Sequence, residues 1–284
     1  MKNLLILGLG YAASYWLETL NLEEWNVTAT TSNERTIDRW ESSDITLLHH
    51  DDPKVIDAIE NSQAILVSAP PNKDGDDPFF IRFKNHVNAD KIKWLAYLSS
   101  TSVYGDCQGD WVTESDPLRA EAPMAVRRIK AEAQWQTLVD LCPLHIFRLS
   151  GIYGPARNAV HRISEGKKIT IYKENHLFNR IHVDDVSQVL NASLKKPTPG
   201  EIYNVSDDLP CGACEVDDFA ASLLGLSPLK RVDWQEAGLT DALRQFYLSS
   251  RRVSNKKVKR KLGVDLNYPT YKEGLKSLFD LENS

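Results

Sequence analysis

NLLILGLGYAAS, residues 3–14, decides how the rest of this 284-residue chain is read. The apolar run Leu4 to Leu7 leads straight into Gly8-Leu9-Gly10-Tyr11-Ala12-Ala13, and YAASYWLETL then has the character of a helix. Strand, glycine turn and helix opening together make the G-x-G-x-x-A dinucleotide pattern. The first glycine permits a tight turn, the second lets backbone approach a pyrophosphate, and Ala13 keeps strand and helix close. The helix start, at Tyr11 and Ala12, offers free N–H groups to that anion. The same glycines interrupt the apolar run and argue against a secretory signal.

Working outward, WNVTATTS, ITLLHHDD, QAILVSAPP and KWLAYLSSTSVYG follow as further β-like runs, each closing in residues that suit a loop. Helical spacers such as PKVIDAIENS lie between them. That alternation predicts an α/β fold, a Rossmann-type doubly wound parallel sheet with helices on both faces. After the sixth strand, LHIFRLSGIYGP, the rhythm breaks, and EIYNVSDD reads as a short strand returning to the sheet. The expected organisation is a Rossmann domain over 1–150 with returns near 181–206, and a small C-terminal lobe built from 151–180 and 207–284.

Composition narrows the function. Basic residues number 34 and acidic residues 39, a net charge of −5, so no general attraction to nucleic acid or an anionic membrane is expected. No other apolar run approaches the roughly 18 residues of a membrane span, and the expected location is the cytoplasm. Four cysteines in a chain of this length do not form a disulfide scaffold. Cys211 and Cys214 form a lone C-x-x-C without two further ligands at zinc spacing, so no metal is expected and the pair reads as a plain surface loop. RRVSNKKVKRK, 251–261, carries seven cations without interleaved aromatics and reads as a solvated helix face.

The tip of the second strand selects the dinucleotide. An acid there hydrogen-bonds the ribose diol, whereas small polar or basic residues admit a 2′-phosphate. The sequence is Thr30-Thr31-Ser32-Asn33-Glu34-Arg35, with no acid at the tip. It points to NADP, with Thr31, Ser32 and Arg35 as phosphate ligands; Glu34, shifted by two positions, keeps NAD open. Asp51, after the third strand, is either an adenine neighbour or a turn residue.

GLGYAAS, SAPPNKDGDDP, YLSSTSVYGDCQGDWVTESDP, FRLSGIYGP, RIHVDDV, IYNVSDDLP and YPTYKEGL occur in an order that spans nearly the whole chain. On these motifs the protein resembles the extended short-chain dehydrogenase/reductases, the NAD(P)-dependent epimerase/dehydratase superfamily. Within it, the chain is most similar to an atypical bacterial branch. The resemblance implies a small-molecule substrate and a monomer or homodimer, with backbone contacts to the cofactor riboses at Ser68 and Ala69 beside the loop that Pro70 and Pro71 shape. It also implies that Ser100 orients the substrate oxygen, and that a tyrosine and a lysine in Y-x-x-x-K spacing move the proton and hold the nicotinamide ribose. A phenol of pKa near 10 needs such a cation to serve as a base at neutral pH.

In MAVRRIKAE, 124–132, Lys130 fills the lysine slot, but the tyrosine slot holds Val126. Valine carries no proton. No tyrosine lies between Tyr104 and Tyr153, so the spacing is not hidden nearby. Two readings remain: Tyr104, Tyr153 or His182 takes over the proton transfer, or the protein binds a dinucleotide without turnover, as a sensor or scaffold. Lys130 either keeps its ribose contact or pairs with a nearby carboxylate. The slots for a dehydratase's acidic pair hold Thr101 and Ser102, which argues against sugar-nucleotide dehydration. The slot for an epimerase's diphosphate arginine holds Phe178, with Arg180 nearby either binding another anion or pairing with Asp184 or Asp185. The expected function is an NAD(P)-dependent oxidoreductase or epimerase acting on an unidentified small molecule, with Ser100, Lys130, Tyr104 and Tyr153 as catalytic candidates.

Overall fold

A computed structural model describes residues 1–282. The described residues divide into two compact units: 1–100, 123–148 and 186–203 form the first, and 101–122, 149–185 and 204–282 the second. The first is built on β1 (Lys2–Leu7), β2 (Trp25–Thr30), β3 (Thr46–Leu48), β4 (Ala64–Val67) and β5 (Trp94–Ser100), joined by the strands Leu144–Leu149 and Glu201–Val205. Their order in the seven-stranded sheet is Glu201–Val205, Leu144–Leu149, β5, β4, β1, β2, β3. β1 pairs in parallel with β2 on one side and with β4 on the other. The strand order therefore reverses at β1 and β4, and the carboxyl ends of strands at such a switch point form the ligand crevice of open α/β sheets.

Leu4 to Leu7 of β1 are all buried, and Leu5 and Leu7 share one face of the strand. Leu5 and Leu7 enter a core with Ile65, Val67, Leu95, Tyr97 and Trp135, closed by helices α3 (Lys54–Asn61), α4 (Phe80–His86) and α5 (Pro123–Gln136). Trp135, fully buried, meets Phe80 and Phe83 edge-on and stacks on Tyr97, while its indole N–H donates to Asp77 at 3.0 Å. A tryptophan pair, Trp16 of α1 (Tyr11–Leu17) and Trp94, lies at 5.6 Å. Their indole N–H groups donate to Asn191 and Ser193 on the helix Val183–Lys195. These three buried indoles thus find the acceptors that burial requires.

The second unit holds three short parallel pairs: Gly151–Tyr153 with Arg180–His182, Ile169–Tyr172 with Lys230–Asp233, and Trp111–Val112 with Arg252–Val253. Its core gathers Tyr153, Val160, Ile163, Val216, Ala220 and Leu275. Three expectations need correction. Residues 101–122 and 181–185, assigned to the Rossmann domain from the sequence, belong to the second unit. Cys211 and Cys214 are buried, not on a surface loop: Arg180 donates to the Cys211 sulfur at 3.2 Å and burial pushes that thiol up to about 11. The basic run is no single solvated helix, because Arg252–Val253 is a strand, Lys256–Val258 a helical turn and Lys259–Gly263 a π-turn, with Val258 and Leu262 buried. Among the described residues no helix is long and apolar enough to cross a membrane.

Candidate functional site

At the switch point the first unit opens into a cleft of about 590 Å³. Its walls are Gly8, Leu9 and Gly10; Thr30 to Asn33 at the end of β2; His50 and Asp51 after β3; Ser68, Ala69, Pro70 and Asn72 after β4; and Pro78, Phe79 and Arg82. Gly8 has φ +93°, and a Cβ there would stand 2.7 Å from the backbone nitrogen of Ala69. Only glycine permits this approach. The turn is tied to the tip of β2, since the Gly8 N–H donates to Thr30 Oγ1 at 2.9 Å and the Leu9 N–H to the Thr30 carbonyl at 2.7 Å.

Gly10 is different: it lies in the extended region and a Cβ added to it would meet nothing within 4 Å. The space beside it is the space that the glycine pattern reserves for a pyrophosphate. Gly10→Asp should therefore leave the fold intact, because the side chain has room and aspartate is a favoured N-cap. It should nevertheless abolish dinucleotide binding, by filling that space with a like charge. A wild-type dissociation constant for the variant, in calorimetric titration with NADPH, would contradict the assignment.

Of the residues expected at the cofactor, Gly8, Gly10, Thr31, Ser32, Asp51, Ser68, Ala69 and Pro70 line the cleft. Ala12 and Ala13 are buried packing residues of α1, Tyr11 is half-buried at its start, and Arg35 is exposed on α2 (Glu34–Trp40); none of the four lines the cleft. Asn33 accounts for Arg35 and Glu34. Its side chain caps α2 by accepting from the Thr36 N–H, so the two residues after it belong to the first helical turn. The sequence reading missed Arg82, the one arginine or lysine in the wall. Its guanidinium holds the carbonyls of His50 at 2.5 Å and Asp52 at 3.1 Å, a tertiary contact with no local sequence signal. The group His49, His50 and Asp51, half-buried at His50 and with ligand atoms within 4.8 Å of one another, was equally unforeseen.

The catalytic candidates fare less well. Ser100 ends β5, half-buried, and Thr101–Tyr104 follows as a 3-10 turn. On α5, Val126 is 45 % exposed. Lys130 turns to a carboxylate: its ammonium lies 2.8 Å from Asp76 and 3.3 Å from the Asp74 carbonyl, and it holds the Asp76 carboxyl below the usual range. The lysine thus fastens the turn Asn72–Asp76 to α5, assisted by Gln134, which contacts Asp76 and receives the Asp77 N–H. Both charged partners are about half exposed. Solvent screens such a pair, which therefore adds little to stability.

Neither substitute tyrosine offers its hydroxyl to a ligand. Tyr104 is fully buried and donates to Asn204 Oδ1 at 2.6 Å. Tyr153 is 7 % exposed, with its hydroxyl so close to Gly274 that a Cβ there would lie 2.1 Å away, and burial pushes its pKa above the usual phenol range. Tyr153, named above as a substitute proton carrier, is a core residue of the second unit. His182 is also buried, held neutral by a pKa pushed down to about 4, with Nδ1 accepting from the Asp184 N–H. Arg180 donates to the carbonyls of Phe178, Cys211 and Gly212, not to Asp184 or Asp185. Asp185 instead accepts the N–H groups of Asn267 and Tyr268.

Residues 83–206 match the NAD dependent epimerase/dehydratase family. A solved structure of a functionally unknown conserved protein from Silicibacter pomeroyi is 37 % identical, with TM-score 0.91 over 98 % of each chain. Over residues 83–206 the chain is similar to the NAD dependent epimerase/dehydratase family. Another relative is Protein YeeZ of Escherichia coli K12, 26 % identical over 95 % of this chain and 97 % of its own length. The family fold is also that of the Bacillus anthracis dTDP-glucose 4,6-dehydratase, solved with NAD: TM-score 0.79 at 20 % identity, covering 100 % of this chain and 97 % of that one. At the positions compared above with Y-x-x-x-K, the chain has Val126 and Lys130.

Proposed function

We propose that the first unit binds a nicotinamide dinucleotide, NADPH ahead of NADH, and that the protein serves an oxidoreductase or epimerase reaction on a small molecule. The observation that carries this reading is the cleft itself, with open space at Gly10 and no acid at the β2 tip. The NAD in the Bacillus anthracis dehydratase supports the class of cofactor; the preference for NADPH rests on Thr31 and Ser32. Bound there, the nicotinamide would supply or accept a hydride. Gly10 leaves room for the pyrophosphate, the Thr31 and Ser32 hydroxyls face the 2′-phosphate, Arg82 adds positive charge to the same cleft, and Ser100 orients the substrate oxygen.

A second reading, dinucleotide binding without turnover, is favoured by one set of observations. Val126 carries no proton, and Tyr104, Tyr153 and His182 are all buried. Calorimetric titration with NADPH and NADH tests the shared part of both readings. Tighter NADPH is expected; equal affinities or tighter NADH would remove the phosphate-pocket assignment, and no binding of either would remove the cofactor.

A further inference from the structure

Between β3 and α3 the chain reads His49-His50-Asp51-Asp52, and the first unit holds this stretch as a closed turn. The Asp52 N–H donates to the His49 carbonyl at 3.0 Å, and Asp52 Oδ1 accepts the Lys54 N–H at 2.8 Å where α3 begins. From α4, Arg82 donates to the carbonyls of His50 and Asp52, at 2.5 and 3.1 Å. The backbone of the turn is thus fixed by its own fold, and the side chains of His49, His50 and Asp51 project from a preset frame.

Those three side chains converge. Asp51 Oδ2 lies 3.2 Å from His50 Nε2 and 3.8 Å from His49 Nδ1, and the two imidazole rings have centroids 4.0 Å apart. One ligand atom from each residue lies within 4.8 Å of the other two, and among the described residues no other three His, Cys, Asp or Glu side chains meet in this way. A metal ion at about 2.1 Å from each of three tetrahedral ligands sets them about 3.4 Å apart. The two separations to Asp51 stand close to that value, and the third closes by rotation of side chains that are 55, 43 and 78 % exposed at His49, His50 and Asp51. That rotation repacks no core. The long hydrogen bond from the Asp51 N–H to His49 Nδ1, at 3.3 Å, is the one contact the ion would displace there. Charge favours a cation as well, since the turn carries two carboxylates, Asp51 and Asp52, against the single guanidinium of Arg82.

We infer that His49, His50 and Asp51 bind a divalent transition-metal ion of the zinc class, with a fourth position open to water. Two imidazoles and one carboxylate suit Zn²⁺ and its neighbours, whereas Mg²⁺ and Ca²⁺ take oxygen ligands. Because His50 and Asp51 also line the cleft of the first unit, the ion would place its charge in the cleft wall. The inference goes beyond the dinucleotide reading and does not depend on it.

The test is calorimetric titration of the full, chelator-treated chain with Zn²⁺ alone, in wild type, His49→Gln, His50→Gln and Asp51→Asn. Wild type should bind Zn²⁺ saturably, and each substitution should weaken that binding at least about tenfold, the lower end of what even outer-shell partners contribute to a metal site. Without metal the variants should melt with wild type, because the substituted side chains are largely exposed. A large excess of Mg²⁺ should not displace the zinc. Co²⁺ in place of Zn²⁺ reports the donors: a visible spectrum without a thiolate charge-transfer band is expected, and such a band would put the ion on a cysteine instead. That band, equal affinity in wild type and all three variants, or no saturable Zn²⁺ binding by wild type would overturn the proposal. No dinucleotide enters the titration, so a failure of NADPH to bind would leave its result standing.

Discussion

Val126→Tyr is expected to raise NADPH-dependent reduction of a carbonyl by about 10²- to 10⁴-fold, the usual contribution of a positioned proton donor. The substitution places a phenol one helical turn before Lys130, the spacing at which side chains on one face of a helix meet. Val126 is 45 % exposed, so the larger ring enters without repacking a core. The ammonium that would assist it is now held by Asp76 at 2.8 Å. A Val126→Tyr/Asp76→Asn double variant should therefore exceed the single one, since the lysine no longer has a competing carboxylate. The measurement is NADPH oxidation over a broad panel of aldehydes, ketones and sugars. No gain in either variant would mean that the cleft is shaped for binding alone. A wild type that already turns over well, and loses that activity on Tyr104→Phe or Tyr153→Phe, would show that Val126 is no deficit at all.

The second large effect concerns stability. Glu132, fully buried on α5, accepts from Ser99 Oγ at 2.5 Å and from Arg148 Nη2 at 2.8 Å, with Arg148 only 3 % exposed. The carboxylate therefore ties three elements together: the residue before Ser100 on β5, the helix that carries Lys130, and the strand Leu144–Leu149. Glu132→Ala strands a buried guanidinium and should destabilise the protein by about 3–5 kcal/mol in denaturant unfolding. Replacing both partners by methionine should cost less than either single change, because no uncompensated charge is left. A Glu132→Ala loss within the ±0.5 kcal/mol of an ordinary surface substitution would show that water reaches Arg148.

These two sites mark the limits of what was legible in the sequence. The strand–glycine–helix start could be read because its reasons are local: Gly8 needs a positive φ, Gly10 leaves space, and the apolar residues Leu4 to Leu7 of β1 are all buried. The parallel α/β sheet followed from the alternation of strands with helices, and Val126 was visible because the Y-x-x-x-K pattern lies within one helix. What could not be read is long-range. Arg82 reaches the loop after β3, Lys130 reaches a turn far from it in sequence, and Tyr153 is buried by Gly274 of the last helix. Charge patterning misled at 251–261, because Arg251 and Arg252 clasp the carbonyls of Gly105 and Gly109 instead of facing water. Nothing in the spacing of a basic run reveals which of its cations will be drawn inward.

The account's central claim is that the cleft between the Gly8–Gly10 turn and the β2 tip holds a nicotinamide dinucleotide. A crystal structure of the protein grown with NADPH tests it most directly. The account predicts the pyrophosphate over Gly10, the 2′-phosphate within hydrogen-bond distance of Thr31 or Ser32, and the adenine on the side of Asp51. An empty cleft at saturating NADPH, or a dinucleotide bound anywhere else on the chain, would contradict it.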